Sequence, residues 1–255
     1  MKRSGSATDK MGPFAIIGNP VKSSLSPRLF NAAYPQLSGE IYHVIETPDA
    51  LLGWQRIKEL SIRGFNVTMP FKTDFLKVAD KLAPAVQQIN ATNLLTNKDG
   101  IWTAWNTDTT GVVNSFREAG ADPVGKNALI IGAGGAGRAA AWGLKQAGAV
   151  VFVANRTSRP GLYPLKDIPL LLGKCNLVVN TIPPEGLGTT VTGLSRNHTI
   201  LDASYTIAPL QNAAISAGAR YLGGYHWLYH QAVEGFAILT GLEPDSRAMR
   251  KLLDL

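Results

Sequence analysis

The stretch NALIIGAGGAGRAAAWGLKQAGAVVFVANRT, residues 127–157, decides the fold. An apolar, β-branched run leads straight into glycines at Gly132, Gly134 and Gly137, which open an alanine-rich helical segment before a second apolar run, VVFVA. Strand, glycine turn, helix and strand in that order make a βαβ unit on a parallel sheet. The glycines have separate tasks: a tight turn, close backbone approach to a pyrophosphate, and close packing of helix on strand. Gly135 and Ala136 begin the helix whose N-terminus faces the phosphate charge. A GxGxxG alone is also what a plain strand-to-helix turn presents, and its weight here comes from that context.

The residues after the second strand select the cofactor. A site for NAD carries an acidic side chain about 20 residues beyond the glycines, where it accepts from the ribose 2′-hydroxyl. This chain has Asn155, Arg156 and Thr157 there. A guanidinium with flanking polar groups suits a 2′-phosphate, so NADP is expected; the competing reading is a solvated loop arginine.

Outward from this unit, short apolar runs alternate with helix-period segments, and the fold class is α/β. Upstream, Phe14 to Ile17 reads as a strand closed by Gly18-Asn19-Pro20. Ser26-Pro27 reads as an N-cap and first helical proline of a helix to about Tyr34. Thr47-Pro48 repeats that signal, Gly64 to Thr68 is the next strand, and Asp99-Gly100 marks a hairpin-like turn. A second unit begins near Thr107 with a helix ending at Gly120. Downstream, strands are expected at Leu177 to Asn180 and Ile200 to Asp202, a helix from about Tyr229 to Gly241, and a last helix from Pro244.

The 255 residues suffice for one large or two small domains, and 45% hydrophobic against 17% charged residues excludes a disordered chain. No apolar run approaches the roughly 18 residues of a membrane span, so no membrane partner is expected. A single cysteine, Cys175, excludes an internal disulfide and fits a reducing compartment; set in LLGKCNLVVN, it reads as an inert buried thiol. The opening MKRSGSATDK has no apolar stretch behind its basic residues and reads as a flexible lead-in, not a secretory signal, giving an expectation of a soluble cytoplasmic protein. The net charge of +7 is scattered, without a basic stripe or recognition helix, so small anions and not nucleic acid are the expected partners. His43, His198, His226 and His230 lack metal-ligand spacing and a legible carboxylate partner; they read as structural or surface groups, and no metal is expected.

Two segments of the first half carry chemistry. SSLSP puts the hydroxyls of Ser24 and Ser26 before a helix N-terminus, a setting for an anion or for plain capping. NVTMPFK puts Thr68 at a strand end and Lys72 beyond the proline that stops it, as a general acid/base or as a surface charge.

With these motifs the chain resembles the shikimate dehydrogenase family. The likeness runs from GNPVKSSLSPRLFN through NVTMPFK, INATNLL, WNTDTTG, GAGGAG, NRT and LDASY to HQAVEGF, in the family's order. It implies an enzyme reducing 3-dehydroshikimate to shikimate with NADPH, reversibly, in aromatic amino-acid biosynthesis. It further implies a substrate-binding domain of residues 1–106 plus 231–255 and a Rossmann-type NADP domain of residues 107–230, flanking a cleft. Ser24 and Ser26 would bind the substrate carboxylate, with Tyr205 nearby. Thr68, Asn93 and Gln231 would surround the ring hydroxyls together with Lys72 and Asp108, the catalytic pair. An ammonium stabilises the negative charge that grows on the carbonyl oxygen and donates its proton, and closure of the cleft would bring the pair together. A plain N-cap role following Thr107 is the alternative for Asp108. Monomer and homodimer both remain open.

The chain departs from the family pattern at several points. Ser23 and Phe30 replace histidines, Trp105 replaces the glycine before NTD, and Trp227 stands for a methionine near the nicotinamide. Ile182 stands for a threonine, and Pro160, Gly161, Pro164 and Pro169 break the helix normally found after Arg156. The rival readings are a dual-specificity quinate/shikimate dehydrogenase, a non-catalytic cyclic-acid-binding descendant, and another reductase sharing only the GAGGAG and NRT half.

Overall fold

A computed structural model describes residues 12–37, 41–157, 159–187, 191–205 and 207–255; the basic lead-in falls outside them. The described chain divides into two compact units, one running to Thr107 and resuming over Ala232–Leu255, the other Asp108–Gln231.

The first unit contains β1 (Phe14–Gly18), α1 (Ser26–Ala33), β2 (Tyr42–Glu46), α2 (Ala50–Glu59), β3 (Gly64–Val67), β4 (Lys81–Leu82), α3 (Pro84–Ile89), β5 (Leu94–Lys98) and β6 (Ile101–Trp105). Its sheet has the order β2-β1-β3-β5-β6-β4. β1 is parallel to β2 and β3, whereas β5 is antiparallel to both β3 and β6. The sheet is therefore mixed, not wholly parallel as the βαβ reading suggests. The cause is the turn at Asp99 and Gly100, both at positive φ (53° and 85°). It joins β5 to β6 directly, with Lys98 opposite Ile101, leaving no length for a crossover helix.

One face of this sheet buries Ile17, Phe65 and Val67 against Ile57, Phe71 and Phe75. Elsewhere in the unit Phe30, fully buried, has its ring centroid 4.7 Å from that of Tyr42, 5.1 Å from Tyr34 and 5.3 Å from Phe236. A phenyl ring fills this aromatic cluster without needing a hydrogen-bond partner.

Helix starts differ from the sequence reading by a residue or two. Ser26 lies inside α1, after Leu25 as N-cap, and its amide donates to Ser24 Oγ at 3.2 Å. The cap of α2 is Asp49, whose carboxylate accepts from Leu52 N at 2.8 Å, and not Thr47, whose hydroxyl donates to Asp49 O. An ionised carboxylate is the stronger acceptor and complements the helix dipole.

The second unit contains α4 (Asp108–Glu118), β7 (Asn127–Ile131), α5 (Gly135–Gln146), β8 (Val150–Asn155), β9 (Tyr163–Pro164), α6 (Ile168–Leu172), β10 (Leu177–Asn180), α7 (Pro184–Leu187), β11 (Thr199–Asp202), α8 (Gln211–Ser216) and β12 (Arg220–Leu222). From it α9 (Gly224–Thr240) carries the chain into the first unit, where α10 (Ser246–Leu252) ends it. The sheet order is β12-β11-β10-β7-β8-β9, with every pair parallel. Side chains alternate between two buried faces: Ala128, Ile130 and Val179 pack with Phe116 and Leu144, while Leu129, Ile131 and Val178 pack with Leu171 and Ala214. Burial on both faces explains why these strands read as continuous apolar runs.

Beyond Arg156 no helix forms before the two-residue β9 among the described residues. Pro169 does not break a helix; it sits in the first turn of α6, where its missing N–H costs nothing. Cys175 is a buried thiol, pushed up to about 11 by burial, as an inert group should be. Among the described residues no helix is long and apolar enough to cross a membrane, and no cluster of metal-ligating side chains occurs.

Candidate active site

In the first unit the strand directions bring the candidate residues to one sheet edge. The parallel strands β1 and β3 end there, at Gly18 and Val67, and the antiparallel β5 begins there. The loop after β1 carries Ser24 and Ser26, the loop after β3 carries Thr68 and Lys72, and Asn93 immediately precedes β5. β6 returns to the same edge and delivers Asn106 and Thr107. Ligands of open α/β sheets bind outside the carboxyl ends of the parallel strands.

The edge is tied together by polar bonds. Thr68 N donates to Ile17 O at 2.9 Å, and Asn19 N to Met69 O at 2.9 Å. Gly18 is obligatory, because a Cβ there would stand 2.3 Å from Thr68 Cγ2. Thr92 N donates to Lys72 O at 2.8 Å and fixes the lysine's backbone, while its side chain is half-buried. Asn93, 4% exposed, donates through Nδ2 to Thr107 Oγ1 at 3.0 Å and accepts from Thr107 N at 2.9 Å. Ser24 Oγ donates to Ser26 Oγ at 3.2 Å, so the two hydroxyls are adjacent. Tyr42 donates to Asn66 Oδ1 at 2.7 Å, and burial holds its phenol far above the ordinary value, so it is a permanent donor.

In the second unit the parallel strands likewise end at a common edge. The order reverses between β7 and β10, the position at which such sheets bind dinucleotides, and the glycine turn follows β7 there. Gly132 has φ +107°, and a Cβ on it would meet Thr181 Oγ1 at 2.4 Å. Gly137 is tighter: its Cβ would stand 2.0 Å from Gly132 O. At Gly134 the opposite holds, with nothing within 4 Å, and no side-chain bond caps α5. Gly135 and Ala136 lie half-buried in its first turn. An open backbone cradle with uncapped amides fits the pyrophosphate of a dinucleotide.

Asn155 Oδ1 accepts from Ala133 N at 3.2 Å and its Nδ2 donates to Thr157 O at 3.1 Å, so this side chain shapes the loop. Arg156 and Thr157 are exposed beside it. Two arginines that the sequence reading passed over belong here. Arg138 donates to Ala133 O at 3.2 Å, and its guanidinium is held below its ordinary value by burial and by the charge of Arg159. The Arg-x-x-Arg spacing of Arg156 and Arg159 was the available signal.

Tyr205 follows β11 and stacks on Tyr225, with centroids 5.4 Å apart. Asp202, fully buried at the end of β11, accepts from Asn180 at 2.8 Å, Tyr221 at 2.9 Å and Leu210 N at 3.1 Å; burial still raises its carboxyl above the usual range. Asp108 is the first residue of α4 and is buried. Gln231 ends the unit, with Nε2 donating to Leu228 O at 3.0 Å. Ser24, Ser26, Thr68, Lys72 and Asn93 thus belong to the first unit, and Asp108, Tyr205, Gln231 and the glycine turn to the second.

Two histidines have a carboxylate partner that the sequence hid. Glu118 Oε2 lies 2.9 Å from His230 Nε2 and 3.4 Å from His226 Nδ1, more than a hundred positions away along the chain. α9 accordingly begins at Gly224, upstream of the expected Tyr229, since Gly224 seats closely on Ala203 O and the residues after it dock on α4.

Known proteins share this architecture. The shikimate dehydrogenase substrate binding domain matches residues 16–95. The shikimate dehydrogenase (NADP(+)) of Haloarcula marismortui is 36% identical over 91% of this chain and 94% of its own. Shikimate 5-dehydrogenase from Listeria monocytogenes, in complex with shikimate and NAD, superposes with a TM-score of 0.84 at 26% identity, covering 99% of both chains. The Thermus thermophilus enzyme in complex with NADP(H) and shikimate gives 0.79 at 29% identity, over 94% of this chain and 98% of that one. Such identity across nearly the full length, on a matching fold, means that the chain belongs to the shikimate dehydrogenase family.

Proposed function

We propose that the protein catalyses the reversible, NADP-dependent interconversion of shikimate and 3-dehydroshikimate, with Lys72 and Asp108 as the catalytic pair. The observation that carries the reading is the convergence of Ser24, Ser26, Thr68, Lys72 and Asn93 on one sheet edge in a chain of this family. From the first unit, the adjacent Ser24 and Ser26 hydroxyls take the substrate carboxylate while Thr68 and Asn93 hold ring hydroxyls; from the second, Tyr205 contributes to the carboxylate and Gln231 to the ring hydroxyls. The second unit holds NADP: the turn from Gly132 to Gly137 takes the pyrophosphate, and Arg156 with Thr157 takes the 2′-phosphate on the loop braced by Asn155.

Bound NADP supplies the hydride acceptor or donor. Lys72 holds the proton of the reacting oxygen, donating it as a carbonyl is reduced and receiving it as the alcohol is oxidised. Its positive charge also stabilises the oxygen as negative charge builds on it. Asp108 orients the ammonium and accepts from the neighbouring hydroxyl. No metal is required, because the ammonium provides the electrophilic assistance.

Two measurements test this reading. kcat/KM for shikimate with NADP+ should exceed the values for quinate and for NAD+; preference for quinate with NAD+ would reverse the assignment. Arg156→Ala should raise KM for NADPH by about tenfold, the scale of one charge-assisted bond, with little change for NADH. An unchanged ratio would remove the 2′-phosphate from Arg156.

A further inference from the structure

We infer that Trp227 is a positioning residue for Asp108, acting through that residue's main-chain carbonyl; the inference rests on the catalytic assignment of Asp108 above. The indole Nε1 of Trp227 donates to Asp108 O at 2.9 Å, and the ring is only 5% exposed. Asp108 opens α4, so its carbonyl already accepts from the helical ladder one turn on, and the indole takes the remaining lone pair. A buried indole N–H needs a partner, and this one finds it at the turn that carries the catalytic carboxylate.

The approach depends on Gly111. A Cβ there would stand 2.6 Å from Trp227 Cδ1 and 3.0 Å from Gln231 Cβ, so glycine lets α9 lie close enough for the indole to reach a backbone oxygen. At the other end of α4, Glu118 meets His226 and His230 from the same helix. Rotation of α4 about its axis would swing the Asp108 side chain, and it would also break contacts at both ends. The C-terminal contacts join a carboxylate to two half-buried histidines more than two helical turns from Asp108, whereas the Trp227 bond is buried, directional and made to Asp108 itself. Trp227 therefore sets the rotation of the first turn.

Trp227→Phe keeps the ring over Gly111 and deletes the donor. Its kcat for shikimate oxidation is expected to fall about three- to tenfold, the scale of one buried hydrogen bond, with KM for NADP+ within about twofold of wild type. Gly111→Ala displaces the same indole with Trp227 present and keeps the test open if Trp227→Phe folds poorly; because its Cβ also approaches Gln231, only the part of its kcat loss that disappears in the Asp108→Asn background is the Trp227 effect. The discriminating readout is the double-mutant cycle with Asp108→Asn. If Trp227 acts through Asp108, Trp227→Phe lowers kcat little further in the Asp108→Asn background. An unchanged kcat in Trp227→Phe, the same loss in both backgrounds, or an effect confined to KM for NADP+ overturns the inference alone. A wild-type kcat in Asp108→Asn overturns the catalytic reading of Asp108, and the inference with it.

Discussion

Lys72→Ala is expected to lower kcat by about 10²–10⁴, the range for loss of a positioned general acid/base, while KM for shikimate changes much less. The asymmetry follows from when the ammonium matters. Ground-state binding of a cyclic hydroxy acid is shared among several groups, including the adjacent hydroxyls of Ser24 and Ser26. Only the transition state places growing negative charge on the oxygen that Lys72 serves. The lysine backbone is held by Thr92 N, a bond that truncation beyond Cβ does not remove. Near-normal turnover in this variant would remove Lys72 from the chemistry.

Gly137→Ala has the second largest expected effect, and on a different quantity. The added Cβ would stand 2.0 Å from Gly132 O and 2.8 Å from Gly132 C, atoms of a turn that cannot yield as a flexible side chain can. Overpacking of this kind costs about 1–3 kcal/mol, and since the displaced turn is the proposed pyrophosphate cradle, KM for NADP+ should rise about ten- to hundredfold. Gly134→Ala is the control, because its Cβ meets nothing within 4 Å. The first variant should melt several degrees below the second; equal melting temperatures would contradict the close packing of strand and helix described here.

Most of the α/β architecture is legible in the sequence because its determinants are local. The run from Asn127 to Thr157 reads correctly because a buried parallel strand must be continuously apolar and a turn at φ +107° must be glycine. Asp99-Gly100 reads as a hairpin for a similar reason. What escapes is set by distant partners. β2, over Tyr42–Glu46, pairs with β1 in full register, yet its burial does not alternate, with Tyr42 and Ile45 buried and Val44 exposed, so a period-two reading finds no strand there. The first turn of α9 is Gly-Tyr-His-Trp, weak in helix propensity, and is stabilised by docking of Trp227 on Asp108 O and of His226 beside Glu118.

The candidate site divides in the same way. Thr68 and Lys72 are recognisable from NVTMPFK, but their shared edge with Asn93 exists only because β5 runs antiparallel to β3. Asn155 reads as a cofactor contact from its position, while its side chain bonds to Ala133 N and Thr157 O. Arg159 is legible from its Arg-x-x-Arg spacing with Arg156, whereas Arg138 stands out only in the fold, where the charge of Arg159 acts on it.

The most direct test of the central claim follows the absorbance of reduced nicotinamide after shikimate and NADP+ are mixed with the wild-type protein and, in parallel, with Lys72→Ala. The proposed chemistry predicts steady formation of NADPH by the wild type and at least about a hundredfold slower formation by the variant. Absence of NADPH with the wild type at saturating shikimate, or equal rates from both proteins, would contradict it.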